Sequence, residues 1–177
     1  MLKLYLDCDG VILDSITTTY ELLGKEKIDT TDYNNVKKFY EELDWNYVLE
    51  ITPILNDSIN AIKNIIASNL YDVEILTHVN SLHEAEVKIK WFNEVLPGIN
   101  VIPTKKEIAK CDMVDPKGAI LVDDFLGNLD LWHKKGGISI KYSDTDKPCR
   151  YLKVKNLNEI LDLTLEIEKK LNKTRLR

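Results

Sequence analysis

Hydrophobic residues in this chain fall into two kinds of pattern. One is the short unbroken run closed by a turn signal, which predicts a buried strand; the other recurs every three or four positions, which predicts an amphipathic helix. Leu2 to Leu6 opens the chain as a run of the first kind and stops at Asp7-Cys8-Asp9-Gly10. Tyr71–Leu76, Ile99–Ile102, Gly118–Val122 and Ile138–Lys141 repeat that pattern. Between them, Asn56 to Asn69 carries Ile59, Ile62, Ile65 and Ile66 on one helical face. Ser81-Leu82-His83-Glu84 has the capping-box spacing and predicts a helix reaching Leu96, stopped by Pro97-Gly98. Thr104-Lys105-Lys106-Glu107 has the same spacing and predicts that both lysines lie in the first turn of the next helix. Leu126–Lys135, stopped by Gly136-Gly137, and Asn156–Leu171 complete the helices, and the basic tail Lys169 to Arg177 is expected to fray.

Strands alternating with helices predict an α/β fold: a doubly wound, Rossmann-like parallel sheet of about five strands, covered on both faces. Residues 14–52 break the alternation. Apolar residues there are sparse, and the spacing predicts two or three short helices, one capped by Thr31-Asp32 and carrying Val36, Phe39, Tyr40 and Leu43. The segment holds Tyr20, Tyr33, Phe39, Tyr40, Trp45 and Tyr47, and its nine acids against four lysines equal the chain's whole net charge of −5. Such a piece is expected either to be a small helical unit with an aromatic core or to cover a site and stack rings on a ligand. The expected division is therefore a core domain of residues 1–13 and 53–177 with a small helical cap at 14–52.

Composition narrows the function classes. A chain of 177 residues with 24 Lys+Arg and 29 Asp+Glu is mildly acidic, which argues against a nucleic-acid polymer as partner. Cys8, Cys111 and Cys149 are scattered and lack CxxC spacing, so reduced thiols and a cytoplasmic location are expected. No apolar run approaches 18 residues and no leader precedes the first strand, so neither a membrane span nor a signal peptide is expected.

The candidate chemistry gathers where a parallel sheet binds ligands, beyond the carboxyl ends of its strands. Asp7 and Asp9, two positions apart, are expected to converge. At about 4 Å and an effective dielectric of ~20 their repulsion is roughly 4 kcal/mol, which a hard divalent cation would offset. Thr77 ends the second strand, Lys105 and Lys106 follow the third, and Asp123-Asp124 end the fourth. Alone, Thr77 is equally well explained as a buried strand-end hydroxyl. His78 follows Thr77 and is either a substrate contact or a solvated loop residue. Asn128 is a candidate to orient Asp123-Asp124, whereas His83 and His133 have no metal-site spacing, and Trp91-Phe92 and Trp132 are expected to pack the core.

Strand-end Asp-x-Asp, Thr, Lys and Asp-Asp, in that order from Leu4 to Asp124, resemble the motifs of the haloacid dehalogenase-like (HAD) phosphohydrolase superfamily. That resemblance implies a Mg²⁺-dependent phosphomonoesterase in which Asp7 is the nucleophile and forms an aspartyl-phosphate. It implies Asp9 as general acid and base, and Thr77 and either Lys105, the favoured candidate, or Lys106 as phosphate contacts; His78 is a further candidate contact only by its place after Thr77, where the family more usually has a small hydroxyl residue. The metal would be held by Asp7, the Asp9 carbonyl and Asp123, with Asp124 outside or in its place. Asp7-Cys8-Asp9-Gly10-Val11, Pro53-Ile54-Leu55, Lys90-Trp91-Phe92, Leu96-Pro97-Gly98 and Asp123-Asp124 leading to Asn128-Leu129 look most like the small 5′-nucleotidase group that includes the 5′(3′)-deoxyribonucleotidases. The implied partner is a small phosphorylated metabolite, with a (deoxy)nucleoside monophosphate the favoured class, acted on by a monomer or homodimer. The alternative is hydrolysis or phosphotransfer on another such metabolite, for example a sugar phosphate. A phospho-accepting receiver domain also joins Asp, Thr and Lys on a doubly wound sheet, but there the acid pair belongs to the first strand and the phosphorylated Asp comes later.

Overall fold

The computed structural model describes residues 1–175, with side chains to Leu171. Six strands, β1 (Leu2–Leu6), β2 (Tyr71–Val79), β3 (Asn100–Lys105), β4 (Ile120–Asp123), β5 (Ile138–Tyr142) and β6 (Leu152–Val154), form one sheet. Its order is β3-β2-β1-β4-β5-β6, and every neighbouring pair is parallel. The sixth strand is the addition to the five expected. Only three residues long, β6 lies at the sheet edge, and Leu152-Lys153-Val154 is too short to stand out as an apolar run.

Side chains alternate along β1. Leu4 and Leu6 enter one core with Ile59, Ile62 and Ile65, Phe92, Ile160 and Ile167, while Tyr5 enters a second with Cys111, Leu129 and Trp132. Helices α4 (Ser58–Ala67), α5 (Leu82–Val95), α8 (Glu159–Asp162) and α9 (Thr164–Arg175) thus supply the first layer, and α6 (Lys110–Met113) and α7 (Leu126–Lys134) the second. The single closing helix expected from Asn156 is divided at Leu163 into α8 and α9. Up to Arg175 the tail expected to fray continues α9, and the remaining two residues lie outside the described ones.

Residues 14–52 are helical, as their pattern predicts: α1 (Ser15–Lys25), α2 (Tyr33–Glu42) and α3 (Trp45–Ile51). Asp32 caps α2 by accepting from Asn34 N, and Asp44 caps α3 by accepting from Asn46 N and Tyr47 N. The three helices share a core of Leu22, Leu23, Phe39, Leu43, Trp45 and Val48, against which Val87 of α5 packs. The chain leaves and re-enters the sheet layer at one point, where Asp14 N donates to Pro53 O and Leu55 N donates to Ile12 O.

The segment after β3 departs from expectation. Lys105 is the last strand residue, and no helix begins at Thr104. The next helix, α6, starts five residues later at Lys110 and spans one turn. A capping box needs a following helical stripe, and residues 106–109 offer none.

Candidate active site

The strand order places β1 between β2 and β4, so the carboxyl ends of these three strands meet at the sheet's switch point. Asp7 extends β1 by one rung, with its N–H donating to Val122 O at 3.0 Å. After Cys8 the backbone winds tightly: the N–H groups of Val11, Ile12 and Leu13 all donate to Cys8 O. Gly10 sits in this turn at φ +74°, and a Cβ there would lie 2.6 Å from Asp124 Oδ2. The positive φ favours glycine here, and a Cβ would in addition push the Asp124 carboxylate and the Ile16 side chain aside.

Asp7 and Asp9 diverge, each toward its own buried lysine. Asp7 Oδ1 accepts from Lys110 Nζ at 2.8 Å and from Cys8 N at 2.7 Å. Lys110 also donates to Asp123 Oδ2 at 2.7 Å, where Asn128 Nδ2 donates at 2.9 Å, while Phe125 N donates to Asp123 Oδ1 at 2.8 Å. Asn128 therefore hydrogen-bonds and orients Asp123, as its place after Asp124 suggested. On the other side, Asp9 Oδ1 accepts from Ser15 Oγ at 2.5 Å, and Asp9 Oδ2 accepts from Lys88 Nζ at 2.7 Å and Thr77 Oγ1 at 3.4 Å. Lys88 donates further to Glu84 Oε1 at 2.7 Å.

The two sides differ in charge. Carboxylate oxygens of Asp7, Asp123 and Asp124 lie within 4.8 Å of one another around a single ammonium, that of Lys110. Burial pushes the Asp7 carboxyl well above the usual range, with Lys110 pulling it back and Asp123 and Asp9 adding to the rise. Asp124, also raised by burial and then by Asp123, reaches about 6. Its carboxylate accepts no hydrogen bond from the described residues, which leaves its oxygens available. With Lys110 among them the three carboxylates carry a net charge of −2, and the oxygens left open suit a hard divalent cation such as Mg²⁺. In contrast, Asp9 is held below the usual range: Lys88, with its charge and hydrogen bond, and then Ser15 outweigh a large burial effect.

These groups border a cavity of about 590 Å³ lined by Asp7, Asp9, Tyr20, Tyr40, Asp124 and Phe125 among others. His78 borders it too, with Nε2 3.0 Å from Ile108 O and a pKa lowered by burial. Of the two lysines expected here, Lys106 lies on the rim, its ammonium 5.0 Å from the Tyr40 ring centroid. Lys105 does not reach the acid cluster: it is exposed and lines an adjoining cavity instead. The position expected for Lys105 belongs to Lys110. A lysine does open the helix after β3, but five residues further along.

No protein-family model matches the chain, and no curated protein matches it. Solved structures do. A HAD-superfamily hydrolase of subfamily IA, variant 1, from Geobacter sulfurreducens PCA aligns over 93% of this chain and 96% of its own, at 15% identity and TM-score 0.60. A HAD phosphatase from Thermococcus onnurineus aligns over 92% and 97%, at 17% identity and TM-score 0.63. A D,D-heptose 1,7-bisphosphate phosphatase from B. bronchiseptica, in complex with magnesium and phosphate, aligns over 94% and 99%, at 14% identity and TM-score 0.57.

The fold is that of the HAD-superfamily hydrolases.

On this HAD fold, Thr77, Asp123 and Asp124 lie near the end of β1 as their strand-end positions predict, but Asp7 and Asp9, expected to converge, turn to different lysines. Sequence reasoning missed Lys110, Lys88, Glu84 and Ser15. For Lys88 a signal was present, since Glu84 and Lys88 stand four apart on the same helix face as Ala85 and Phe92, where charges are unusual. Lys110 offers only its place beside buried Cys111, in a segment too short for periodicity to be read.

Proposed function

We propose that this chain is a Mg²⁺-dependent phosphomonoesterase that works through an aspartyl-phosphate on Asp7, with nucleoside monophosphates as its substrate class. The observation that carries the reading is the Asp7–Lys110–Asp123 bridge beside Asp124, at the mouth of a cavity that Asp9 also borders. Asp7, Asp124 and the backbone carbonyl of Asp9 would hold the cation, while Asp123, already engaged by three donors, orients Lys110. Bound there, Mg²⁺ would draw charge from the phosphoryl oxygens and offset the crowding of carboxylates.

The chain's own groups do the rest. A carboxylate oxygen of Asp7 attacks phosphorus, and the bond from phosphorus to the leaving oxygen breaks. Asp9 gives its proton to that oxygen. A phosphoryl dianion arriving beside Asp9 raises its pKa again, which recruits the proton it must deliver. Lys110 and Thr77 face the charge that develops on the phosphoryl group. In the second half Asp9, now a carboxylate, takes a proton from water, whose oxygen attacks phosphorus and releases phosphate from Asp7.

Helices α1–α3 act as the cap over residues 1–13 and 53–177. A second cavity of about 590 Å³ runs between α2 and the ends of β2 and β3, sharing Tyr40, Asn80 and Lys106 with the first. Its wall includes Tyr33, Val36, Tyr40 and Leu82, flat and apolar surfaces suited to a nucleobase. A sugar phosphate is the second reading, supported by the heptose bisphosphatase among the structural neighbours.

The test is phosphate release from a panel of nucleotides, sugar phosphates and other monoesters, with Mg²⁺ and then with EDTA. Metal-dependent release concentrated on nucleoside monophosphates is expected. Release concentrated on sugar phosphates would keep the site and replace the substrate class. No release from any ester would overturn the phosphatase reading.

A further inference from the structure

The Asp7–Lys110–Asp123 bridge accounts for one of two fully buried lysines at the site. The other, Lys88, has no part in the reaction as written above, yet its side chain is completely buried, and Glu84 is 1% exposed. Removing an ammonium from water costs several kcal/mol, and an apolar side chain of similar volume would fill the space without that penalty. A lysine kept there needs a reason that packing does not supply.

Its partners point to one. Lys88 has three donors, and three acceptors surround it: Asp9 Oδ2 at 2.7 Å, Glu84 Oε1 at 2.7 Å and Thr77 Oγ1 at 3.5 Å. Glu84 in turn accepts through Oε2 from Asn80 N at 2.7 Å and Asn80 Nδ2 at 2.8 Å, so the chain of bonds ends on the loop that follows β2. From the helical insertion, the Trp45 ring lies 4.9 Å from Lys88 Nζ. Trp45 itself is 2% exposed, and its Nε1 has no hydrogen-bond partner among the described residues. It is therefore the ring face toward the ammonium, not the N–H, that ties Trp45 into this group.

Asp9 is a short side chain beside Gly10, with about a quarter of its surface open to the cavity. Ser15 holds one of its oxygens and Lys88 the other, so rotation of the carboxylate is stopped from both sides. We infer that Lys88 is a positioning residue: braced by Glu84 and faced by Trp45, it fixes the carboxyl of Asp9 in the orientation from which the leaving oxygen receives its proton. This inference rests on the phosphomonoesterase reading.

Leaving-group dependence tests it. Glycerol phosphate expels an alkoxide that must be protonated, whereas p-nitrophenyl phosphate expels a stable phenolate that needs no acid. The ratio kcat/KM covers only steps up to the first irreversible one, here formation of the aspartyl-phosphate. Positioned general acids contribute about 10²- to 10⁴-fold. In Lys88→Met, kcat/KM for glycerol phosphate is expected to fall about 100-fold, and that for p-nitrophenyl phosphate by less than about tenfold. If Lys88→Met melts below the assay temperature, the double variant Lys88→Met/Glu84→Gln removes both charges together, retains an acceptor for Asn80, and is expected to give the same split. Equal losses on both esters in a folded variant would overturn the role given to Lys88 while leaving the phosphatase reading intact. A wild-type chain that hydrolyses neither ester, nor any other in the panel, would overturn both.

Discussion

The two sides of the proposed active-site mouth use the same device, a buried lysine between carboxylates, with opposite electrostatic results. Around Lys110 stand three acids, Asp7, Asp123 and Asp124, and the carboxyls of Asp7 and Asp124 are pushed upward. Around Lys88 stand two, Asp9 and Glu84, and Asp9 is pulled downward. Burial acts to raise the carboxyls of both Asp7 and Asp9, whose side chains are 10% and 24% exposed. One additional acid, and the hydrogen bonds each carboxylate receives, decide the sign. The Lys110 side is left with an excess of negative charge that suits a cation, and the Lys88 side is closed upon itself and suits proton handling.

The largest effect that breaks this comparison is loss of the proposed nucleophile. Asp7→Asn is expected to abolish phosphate release, to below one part in about 10⁴, with an unchanged circular dichroism spectrum. Retained turnover in a purified, folded variant would mean that another group attacks phosphorus.

Next comes the identity of the lysine. Lys110→Met should lower kcat by about 10²- to 10³-fold, the range for losing one preorganised donor to a developing charge. Because it leaves Asp7 and Asp123 unpaired, the metal-free variant should also be destabilised by about 3–5 kcal/mol in denaturant titrations. Lys105→Met, at an exposed position outside the cluster, should change kcat by less than about twofold. The reverse ranking would return the role to Lys105.

A smaller effect follows from Asp124. Its carboxyl titrates near 6, and a cation binds the ionised form, so protons compete with metal as pH falls through that value. Mg²⁺ affinity measured calorimetrically should be roughly tenfold weaker at pH 5 than at pH 7, and Asp124→Asn should flatten that dependence. The smallest change is expected at the adjoining cavity: Tyr33→Ala should raise KM for nucleoside monophosphates by about 3- to 10-fold, the value of one stacked ring, with kcat little altered. No change in KM would remove this wall from the substrate site.

Much of this was legible in the order of residues, for identifiable reasons. Asp7, Thr77 and Asp123 lie in or directly after apolar runs, and a parallel sheet brings such strand ends together whatever the loops do. Asp9 was located but not its surroundings: two carboxylates one residue apart were expected to converge, yet the turn around Cys8 O sends them to different lysines. Asp32 marked a helix start in 14–52 because a cap acts locally. Lys105 was misplaced because a capping-box spacing carries information only where a helix follows.

The order of residues alone marked five of the six strands, their alternation with helices, and the acids at their ends. These depend on periodicity and local backbone preference, which span at most a dozen residues. Only the tertiary structure decided which lysine meets which acid. Lys88 lies 79 positions from Asp9, and Lys110 lies 13 from Asp123, so neither contact has a local signature. Long flexible cations find their partners through the space left once the sheet and its two helical layers are packed. That space is a property of the whole fold and is written in no single segment.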